Sequence, residues 1–363
     1  MLTKRILQDI EKEILPEFKS EILNLSGKTI LLTGGNSLLA SYLVDSLVLC
    51  NSSLQNKIKL IIINKNPMTS DSRLSHLLKD ENVKFIQQDV GRPFSLPYKI
   101  DIIIHAASRS NPQAFKEDPV DTILANTQGL YHLLEYAKLH KVEQFLFFSS
   151  GEIYGNPSDI QTSLTPTSES FSSVILPPED LRVSYIHAKR LSEALGFAYN
   201  KQHNVPFKSA RIMLGYGPGI RDDGKVISDF FNSAINKNEI TIWDHGDATR
   251  VFAYVSDVAR ALFYILFKGE DGQAYNIGGN NEELISIKNL ADTIASVVSE
   301  KKGTPVPVIP NIKNRSPREI PDTRNLNIEK IKALGFSPKV PLQEGLGRLL
   351  EHYTEQGKFN ERF

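Results

Sequence analysis

The sequence predicts an α/β fold in which a doubly wound parallel sheet is followed, on the carboxyl-terminal side, by a smaller α/β lobe. Short apolar runs alternate with helical patterns from Thr29 to about residue 214. Continuous apolar strands separated by helices are typical of a parallel sheet that is covered on both faces. From about Gly215 the chain becomes richer in glycine and proline, and helical stretches are interspersed with short strands. A chain of 363 residues is long enough to bury the core of two packed lobes.

An amphipathic helix precedes the first predicted strand. Apolar residues recur there every four positions, at Leu2, Ile6, Ile10, Ile14, Phe18 and Ile22. This spacing is typical of one buried helix face. Pro16 is expected to break or kink the helix, because proline lacks the amide hydrogen that a helix interior needs. We assign residues 1–26 to an N-terminal helical extension, which is either a strap packed on the main domain or an arm that contacts another subunit.

Six apolar segments are predicted to form the sheet, and three helical patterns between them are well defined. The predicted strands are TILL (29–32), IKLIII (58–63), VKFI (83–86), IDIIIHAA (100–107), QFLFFSS (144–150) and FKSARIML (207–214). The predicted helices are Ser37–Leu49, Asn126–His140 and Ser184–Gln202. A short strand, ITIW (240–243), is predicted in the later lobe.

The charge balance and cysteine content favour a small-molecule partner and a reducing compartment. Forty-two basic residues balance forty-two acidic ones, so no global positive field attracts nucleic acid or an anionic membrane. The lone cysteine, Cys50, cannot form an internal disulfide. The first 23 residues contain no signal-peptide core, and no later apolar run approaches membrane-spanning length. We therefore expect a cytoplasmic protein that binds a small ligand.

The turn after the first strand is similar to a dinucleotide-binding loop. In such a loop one glycine allows the tight turn, a second lets the backbone approach a pyrophosphate, and a third lets the helix pack closely on the strand. Gly34, Ser37 and Ala40 stand at these three places. Ala40 keeps the helix close, and the small Ser37 offers a hydroxyl to a phosphate oxygen. The helix N-terminus offers free N–H groups to an anion.

The end of the second strand bears on the choice of cofactor. An acidic residue there would bind the ribose hydroxyls of NAD. Asn64 and Lys65 occupy this place instead. Asn64 can still bond a ribose hydroxyl, whereas Lys65 could accept the extra phosphate of NADP. The sequence favours NAD and leaves NADP as the alternative.

A candidate acid–base pair lies on the helix Ser184–Gln202. Tyr185 and Lys189 are four residues apart and therefore share one helix face. An ammonium near a phenol stabilises the phenolate, so a tyrosine whose unperturbed pKa is about 10 can act as a base near neutrality. Ser150 ends a predicted strand and Glu152 follows it, at the sheet edge where ligands of open α/β sheets bind. Ser150 would place a hydroxyl beside the base, and Glu152 would add a carboxylate.

The order of these motifs resembles the extended short-chain dehydrogenases/reductases of the NAD-dependent epimerase/dehydratase family, which act on nucleotide sugars. The matching segments lie between about Gly27 and Tyr353 and are TGG, DV at 89–90, HAA, Asn126, SSGEIYG, YIHAK, ARIMLGYGPG, DDGKVISDFF, DHGDATRVFAYVSD and YNIGG. The resemblance implies a Rossmann-type NAD(P)-binding domain over residues 27–214 and a mainly substrate-binding lobe over 215–363, partly interleaved with it. It also implies a homodimer with a four-helix seam, formed by helices 126–140 and 184–202.

The resemblance also implies roles for individual residues. Tyr185 would remove the proton of a sugar hydroxyl, Ser150 would share this hydrogen bond, and Lys189 would hold the nicotinamide ribose. The residues implied to bind NAD, or NADP, are Gly34, Ser37, Leu38, Leu39, Asn64, Asp89, Val90, Ala106, Ala107 and Asn126, with Tyr185 and Lys189. The residues implied to bind the nucleotide sugar are Arg182, Leu214 (where the family usually has Asn), Val226 and Phe230 at the base, Trp243, Arg250 at the diphosphate, and Arg318.

The implied reaction begins with oxidation of the sugar at C4, which turns the C5 substituent into a leaving carboxylate or an acidic proton. Glu152 and Arg182 follow the pattern of UDP-glucuronate decarboxylases, which is the reaction we expect. Among Arg315, Arg318 and Arg324, we expect Arg318 to bind the sugar carboxylate. The alternatives are a 4-epimerase, a 4,6-dehydratase, a reductase with dissociable NADPH, and a non-catalytic ligand-binding protein whose cofactor loop has decayed.

Overall fold

The computed structural model describes residues 2–108, 117–161, 164–174, 177–180, 183–222, 224–312 and 322–358. In chain order the strands are β1 (Thr29–Thr33), β2 (Lys59–Asn64), β3 (Val83–Gln87), β4 (Ile102–His105), β5 (Gln144–Ser150), β6 (Phe207–Ile212), β7 (Gly215–Tyr216), β8 (Ile240–Ile242), β9 (Thr249–Arg250), β10 (Ala253–Tyr254), β11 (Gln273–Ile277), β12 (Ile285–Ser286), β13 (Val308–Pro310) and β14 (Thr323–Arg324). The α-helices are α1 (Lys4–Asp9), α2 (Leu15–Leu23), α3 (Leu38–Asn51), α4 (Pro119–His140), α5 (Val183–His203), α6 (Val226–Asn236), α7 (Val255–Lys268), α8 (Ile287–Lys302), α9 (Glu329–Lys332) and α10 (Leu342–Glu355).

A seven-stranded parallel sheet forms the centre of the molecule, in the order β11-β6-β5-β4-β1-β2-β3. This confirms the predicted fold class. The strand order reverses between β1 and β4, and ligands of open α/β sheets bind in the crevice at such a switch point. The edge strand β11 comes from the chain beyond Gly215, so the later segment contributes to the large sheet.

The strands are continuously apolar because helices cover both faces of the sheet. On one face Leu31 of β1 lies in a core with Leu130 of α4 and Phe207 of β6. On the other face Ile30 lies in a core with Leu43 of α3. Alternate residues of one strand therefore enter different cores, which explains why all six predicted strands were recognisable from short apolar runs.

Helix α4 begins at Pro119, seven residues before the predicted start at Asn126. Proline is favoured in the first turn of a helix, because the amide hydrogen it lacks has no helical acceptor there. The other two predicted helices differ from α3 and α5 by at most two residues at either end.

The N-terminal extension is packed as a strap on the main body of the molecule. Its predicted apolar face is buried in the main core, with Ile10 and Ile14 fully inaccessible. Phe18 contacts the rings of Phe263 and Tyr264 on α7. Instead of a break at Pro16, a π-helical turn over Ile10–Ile14 joins α1 to α2. The extra residue in such a turn accommodates a local disruption of the helix without ending it.

The strap is also tied to the last helix, α10, through polar groups. Buried Asp9 accepts hydrogen bonds from Arg5 at 2.8 Å, Arg348 at 3.0 Å and Tyr254 at 2.7 Å. The ring Nδ1 of His352, which is 1 % exposed, lies 3.0 Å from the Thr3 hydroxyl. These contacts join the first and last helices of the described chain.

His352 should make the protein less stable in mild acid. Burial lowers the pKa of His352 to about 3, whereas in the unfolded chain it titrates near 6.5. Between these values the unfolded state binds one more proton, so the free energy of unfolding falls as the pH falls, by about 1.4 kcal/mol per pH unit. Urea unfolding at about pH 6.5 and about pH 5 should show that His352→Gln loses this share of the pH dependence. The exposed His203→Gln should retain it; equal slopes for both variants would refute the prediction.

Three small sheets complete the later part of the chain. They are β10-β7, β12-β9-β14 and β13-β8. Strand β14 pairs with β9 in parallel, so that Arg324 lies beside Arg250. Among the described helices none is long and apolar enough to cross a membrane.

Candidate active site

The turn between β1 and α3 lies at the switch point and is held close to the end of β4. Gly34 has a φ of +69°, and a Cβ atom there would lie 2.7 Å from backbone atoms of Ala107. The amides of Ala106 and Ala107 donate to the backbone oxygen and the hydroxyl of Thr33, respectively. Glycine is therefore required at position 34 by both the left-handed backbone and the close approach.

The N-terminus of α3 has the features that a pyrophosphate needs. Ser37 is the N-cap residue, and its side chain makes no capping hydrogen bond. The amides of Leu38 and Leu39, in the first turn of the helix, have no acceptor within the helix and can be offered to an anion. Ala40 is fully buried, as close packing of this helix requires.

Two buried polar atoms beside this turn are free to receive a ligand. Asn126 on α4 is fully buried and donates its side-chain amide to the Thr122 carbonyl, but among the described residues its Oδ1 has no hydrogen-bond partner. The same holds for Nε2 of fully buried His105, whose Nδ1 lies 2.6 Å from the Thr33 hydroxyl. With the glycine turn and the open helix N-terminus, these groups fit a nicotinamide dinucleotide.

Lys65, directly after β2, is held by two carboxylates. Its Nζ lies 2.9 Å from Asp89 and 2.9 Å from Asp121 on α4, and both interactions raise its pKa, that with Asp121 most. Asn64, one residue earlier, accepts a hydrogen bond from the Asn36 amide at 3.3 Å. Val90, next to Asp89, is buried. The positive charge of Lys65 is therefore already balanced by two carboxylates and is not available to an extra phosphate of the cofactor.

The four predicted catalytic residues come from two elements at the carboxyl edge of the sheet. Ser150 ends β5, and a 3₁₀ turn, Gly151–Tyr154, carries Glu152, whose amide donates to the Ser150 hydroxyl at 3.2 Å. Tyr185 and Lys189 lie on α5, with exposed fractions of 6 % and 1 %. The structure brings Ser150 to the Tyr185 hydroxyl, with Ser108 near the same group.

Lys189 is positioned by the end of β5. Its Nζ donates to the Phe148 carbonyl at 2.5 Å and lies 5.8 Å from the centre of the Tyr185 ring. Burial lowers the pKa of Lys189 to about 7, although the charge of Glu193 opposes this. Burial raises the pKa of Tyr185 to about 12, opposed by the Ser150 and Ser108 hydroxyls. Tyr185 therefore rests as a neutral phenol, and a positive charge beside it is needed before it can act as a base near neutrality.

Two arginines face this edge from the small sheet β12-β9-β14. Arg250 of β9 lies 2.7 Å from Asp322, and Arg324 of β14 lies 3.5 Å from the same carboxylate. Arg324 also forms a short ion pair with Glu152. Burial alone would lower the pKa of Arg324, but Glu152 and Asp322 raise it overall. Burial lowers the pKa of Arg250.

Of the three late arginines, Arg324 is the one within the described residues, and it lies at this edge. Arg318, which we expected to bind the carboxylate, and Arg182 lie outside the described residues. The parallel pairing of β14 with β9 is what brings Arg324 to Glu152, and it joins residues 74 positions apart. Asp322, which directly precedes the threonine and arginine of β14, was not among the residues predicted to form the site.

The remaining residues predicted to bind the substrate differ in exposure and in backbone conformation. Val226 begins α6, and Phe230, one turn later, is 7 % exposed. Leu214 adopts a φ of +50°, a conformation that asparagine tolerates far better than leucine. Trp243 is 69 % exposed, and its role in binding the substrate stays a prediction. It follows the last residue of β8, and the strand ends before it can turn the indole inward.

Comparisons with known proteins agree with this geometry. The sequence model of the NAD dependent epimerase/dehydratase family matches residues 30–278. UDP-glucuronic acid decarboxylase 6 of Arabidopsis thaliana is 32 % identical over 331 residues, which cover 90 % of this chain and 89 % of the relative. UDP-glucuronic acid decarboxylase 1 of Xenopus tropicalis is 30 % identical over 91 % of this chain and 73 % of its own length.

Solved structures share the fold. An epimerase of Methanothermobacter thermautotrophicus superposes with a TM-score of 0.76 at 24 % identity, covering 95 % of this chain and 97 % of that one. UDP-glucuronic acid 4-epimerase of Bacillus cereus, in complex with NAD, superposes with a TM-score of 0.71 at 23 % identity, covering 92 % of this chain and 100 % of that one. From the parallel sheet, the glycine turn, the Tyr185–Lys189 helix and the family match, we conclude that this chain belongs to the NAD dependent epimerase/dehydratase family.

Proposed function

We propose that the protein is a UDP-glucuronate decarboxylase that oxidises C4 of the sugar, releases the C6 carboxylate as carbon dioxide and reduces C4 again. The observation that carries this proposal is the Arg324–Glu152 ion pair beside Ser150 and Tyr185. It offers a guanidinium, suited to a carboxylate, at the place where the sugar C5 substituent would lie. The decarboxylases among the relatives, at about 30 % identity, support it.

The first step is removal of the C4 hydroxyl proton by Tyr185. Ser150 shares the hydrogen bond to this hydroxyl, and protonated Lys189 stabilises the phenolate that Tyr185 becomes. Bound at the β1–α3 turn, NAD would supply the acceptor of the C4 hydride and later return it. We infer that Asn126 and the N-terminus of α3 hold this cofactor, because the Asn126 Oδ1 has no partner among the described residues and the first amides of α3 have no acceptor within the helix.

The second step is loss of the carboxylate. A ketone at C4 makes the substrate a β-keto acid, so the C5–C6 bond can break with its electron pair moving toward the C4 oxygen. Arg324 holds the carboxylate until carbon dioxide leaves, and C5 then takes one proton from the site. The proton on Tyr185 returns to the C4 oxygen when C4 is reduced, which restores the starting state of the side chain.

Product mass tests the proposal against its alternatives. The protein should be incubated with NAD and a panel of nucleotide sugars that includes UDP-glucuronate. Loss of carbon dioxide from UDP-glucuronate supports the decarboxylase. An isomer of unchanged mass would make it an epimerase, loss of water from a hexose a dehydratase, and consumption of added NADPH a reductase. No turnover and no bound nicotinamide would favour the non-catalytic protein.

We propose that the protein selects NAD over NADP by keeping Lys65 paired with Asp89 and Asp121. A phosphate on the adenosine ribose would have to displace both carboxylates and would be repelled by them. Asp89→Asn with Asp121→Asn should therefore release the charge of Lys65 and raise the affinity for NADP relative to NAD by about tenfold. Isothermal titration with both cofactors measures this ratio. Adding Lys65→Met to the double variant should abolish the gain; an unchanged ratio in the double variant would contradict the prediction.

We also propose a cytoplasmic homodimer, with residues 27–214 holding the cofactor and 215–363 mainly the sugar. Exposed apolar side chains on α4 and α5 support the four-helix seam, with exposed fractions of 65 % at Val120, 46 % at Tyr131, 75 % at Leu139 and 58 % at Leu191. Exposed apolar residues clustered on paired helices are typical of subunit interfaces. Sedimentation velocity should give the mass of two chains, and the mass of one chain would reject the dimer.

A further inference from the structure

We propose that a buried hydrogen-bond chain through Glu193, Arg211, Tyr154 and Asn276 sets the relative positions of the three elements that carry the reactive groups. These four residues would be positioning residues, because none of their hydrogen bonds described here reaches a group that we assign to the chemistry. The inference rests on the proposed function, which identifies the three elements: helix α5, the Glu152 turn and the Arg324 strand.

The first link joins α5 to the sheet. Glu193 lies one helical turn beyond Lys189 and two beyond Tyr185, and is 4 % exposed. Its carboxylate accepts from Arg211 Nε at 3.0 Å and Nη2 at 2.7 Å, and from the Ser209 hydroxyl at 2.7 Å. A two-point guanidinium–carboxylate contact fixes direction as well as distance. The register of α5 on β6 is therefore set by a side chain on the same helix as the catalytic pair.

The second link joins Arg211 to the turn that carries Glu152. Arg211 Nη1 donates to the Tyr154 hydroxyl at 2.7 Å, and its guanidinium carbon lies 5.2 Å from the centre of the Tyr154 ring. Tyr154 is the last residue of the 3₁₀ turn and is 2 % exposed. Burial raises the pKa of Tyr154 to about 12, so the hydroxyl keeps its proton and can donate while it accepts from Arg211.

The third link reaches the segment that carries Arg324. The Tyr154 hydroxyl donates to Asn276 Oδ1 at 2.7 Å. Asn276, fully buried on β11, donates Nδ2 to the carbonyls of Thr167 and Asn327, both at 3.0 Å. Asn327 lies three residues after Arg324, and its amide donates to the Thr167 carbonyl at 2.8 Å. The amide of Asn276 thus ties the two strand-like segments behind the Glu152–Arg324 pair to the large sheet.

The hydrogen-bond chain is suited to positioning because its side chains are buried and their polar atoms have hydrogen-bond partners. A buried polar network that is satisfied throughout rigidifies its surroundings, and removal of one member leaves the others without partners. The reaction requires Tyr185 at C4 and Arg324 at the neighbouring carboxylate at the same time, although they come from segments about 140 residues apart. Misplacement by about 1 Å can cost a reaction about 100-fold. The hydrogen-bond chain connects all three elements through side chains that the structure describes.

Tyr154→Phe tests the proposal, with Tyr216→Phe as a matched control. Both tyrosines are 2 % exposed, and Tyr216 donates to the Leu342 carbonyl at 3.2 Å, away from this chain of bonds. We expect Tyr154→Phe to lower kcat by at least about tenfold with little change in KM for UDP-glucuronate, and to release oxidised 4-keto intermediate before C4 is reduced again. Tyr216→Phe should keep the kcat and the single product of the wild type. A loss of thermal stability alone, with unchanged kcat and product, would overturn the proposal.

Hydrogen exchange provides a readout that does not require turnover. Glu193→Gln removes the charge at the α5 end of the chain, and we expect faster amide exchange in residues 322–328, which Glu193 does not touch in the described structure. Tyr154→Phe should have the same effect and Tyr216→Phe none. Unchanged exchange in both network variants would overturn the proposal, even if kcat falls. If the network variants exchange faster but the wild-type protein does not turn over UDP-glucuronate, the hydrogen-bond chain is supported and the proposed function is rejected.

Discussion

Tyr185→Phe should lower kcat for UDP-glucuronate by about 1,000-fold while KM changes little, because the variant keeps the ring but loses the group that exchanges a proton with the C4 hydroxyl. The ring packs in a site that is 6 % exposed, so Phe should preserve the local structure. Steady-state release of carbon dioxide measures the effect. A stopped-flow trace at the absorbance of NADH should show that C4 oxidation is the step that is lost.

Tyr98→Phe is the control for this prediction. Tyr98 lies before β4, at the opposite edge of the sheet, and its ring contacts Lys84. The Tyr98→Phe variant should turn over UDP-glucuronate at the wild-type rate. If Tyr185→Phe kept more than about a tenth of the wild-type kcat, another group would have to be the base, and the assignment of the Tyr185–Lys189 pair would be rejected.

Arg324→Met should stop decarboxylation but spare the oxidation of C4. Methionine fills part of the volume of arginine but cannot bind a carboxylate, and the variant leaves Glu152, whose side chain is 32 % exposed, without its ion-pair partner. We expect carbon dioxide release to fall by about 100- to 1,000-fold. NADH should accumulate on the enzyme, because the ketone forms but is not consumed. Comparison of NADH absorbance with released carbon dioxide separates the two steps.

Arg324→Lys is the matched variant. It keeps the charge but not the planar two-point geometry, so it should recover part of the lost activity and raise KM. Carbon dioxide release at the wild-type rate from Arg324→Met would contradict the assignment. The carboxylate would then have to be bound elsewhere, and Arg318 would become the residue to test.

The large sheet and the position of the candidate catalytic pair were predictable from the sequence because both depend on local spacing. Apolar runs such as IKLIII form strands buried on two faces, and they need no knowledge of their neighbours. Tyr185 and Lys189 share a helix face because they are four residues apart. Ser150 was found in the same way, as the last residue of an apolar strand at the edge where ligands bind.

The arginines of the site could not be ranked from the sequence. The position of Arg324 beside Glu152 depends on the parallel pairing of β14 with β9, and neither two-residue strand has an apolar pattern that predicts it. Lys65 likewise looked available to a phosphate, because its partners Asp89 and Asp121 follow 24 and 56 positions later in the chain. Contacts between distant charged residues have no periodic signal in the sequence.

Two local features, at Trp243 and at Pro16, were also not predictable from the sequence. Trp243 follows the apolar pattern of ITI, yet β8 ends at Ile242 and leaves the indole exposed. Pro16 predicted a break or a kink, and the structure has one π turn over Ile10–Ile14 directly before it, after which the helix continues.

The central claim is that hydride leaves C4, carbon dioxide leaves C5 and the same hydride returns. It can be tested with UDP-glucuronate that carries deuterium at C4, incubated with the protein and NAD, with mass and NMR analysis of the product. We expect release of carbon dioxide and a UDP-pentose that retains the deuterium at C4. Release of carbon dioxide with loss of the deuterium, or retention of the carboxylate in the product, would contradict the account.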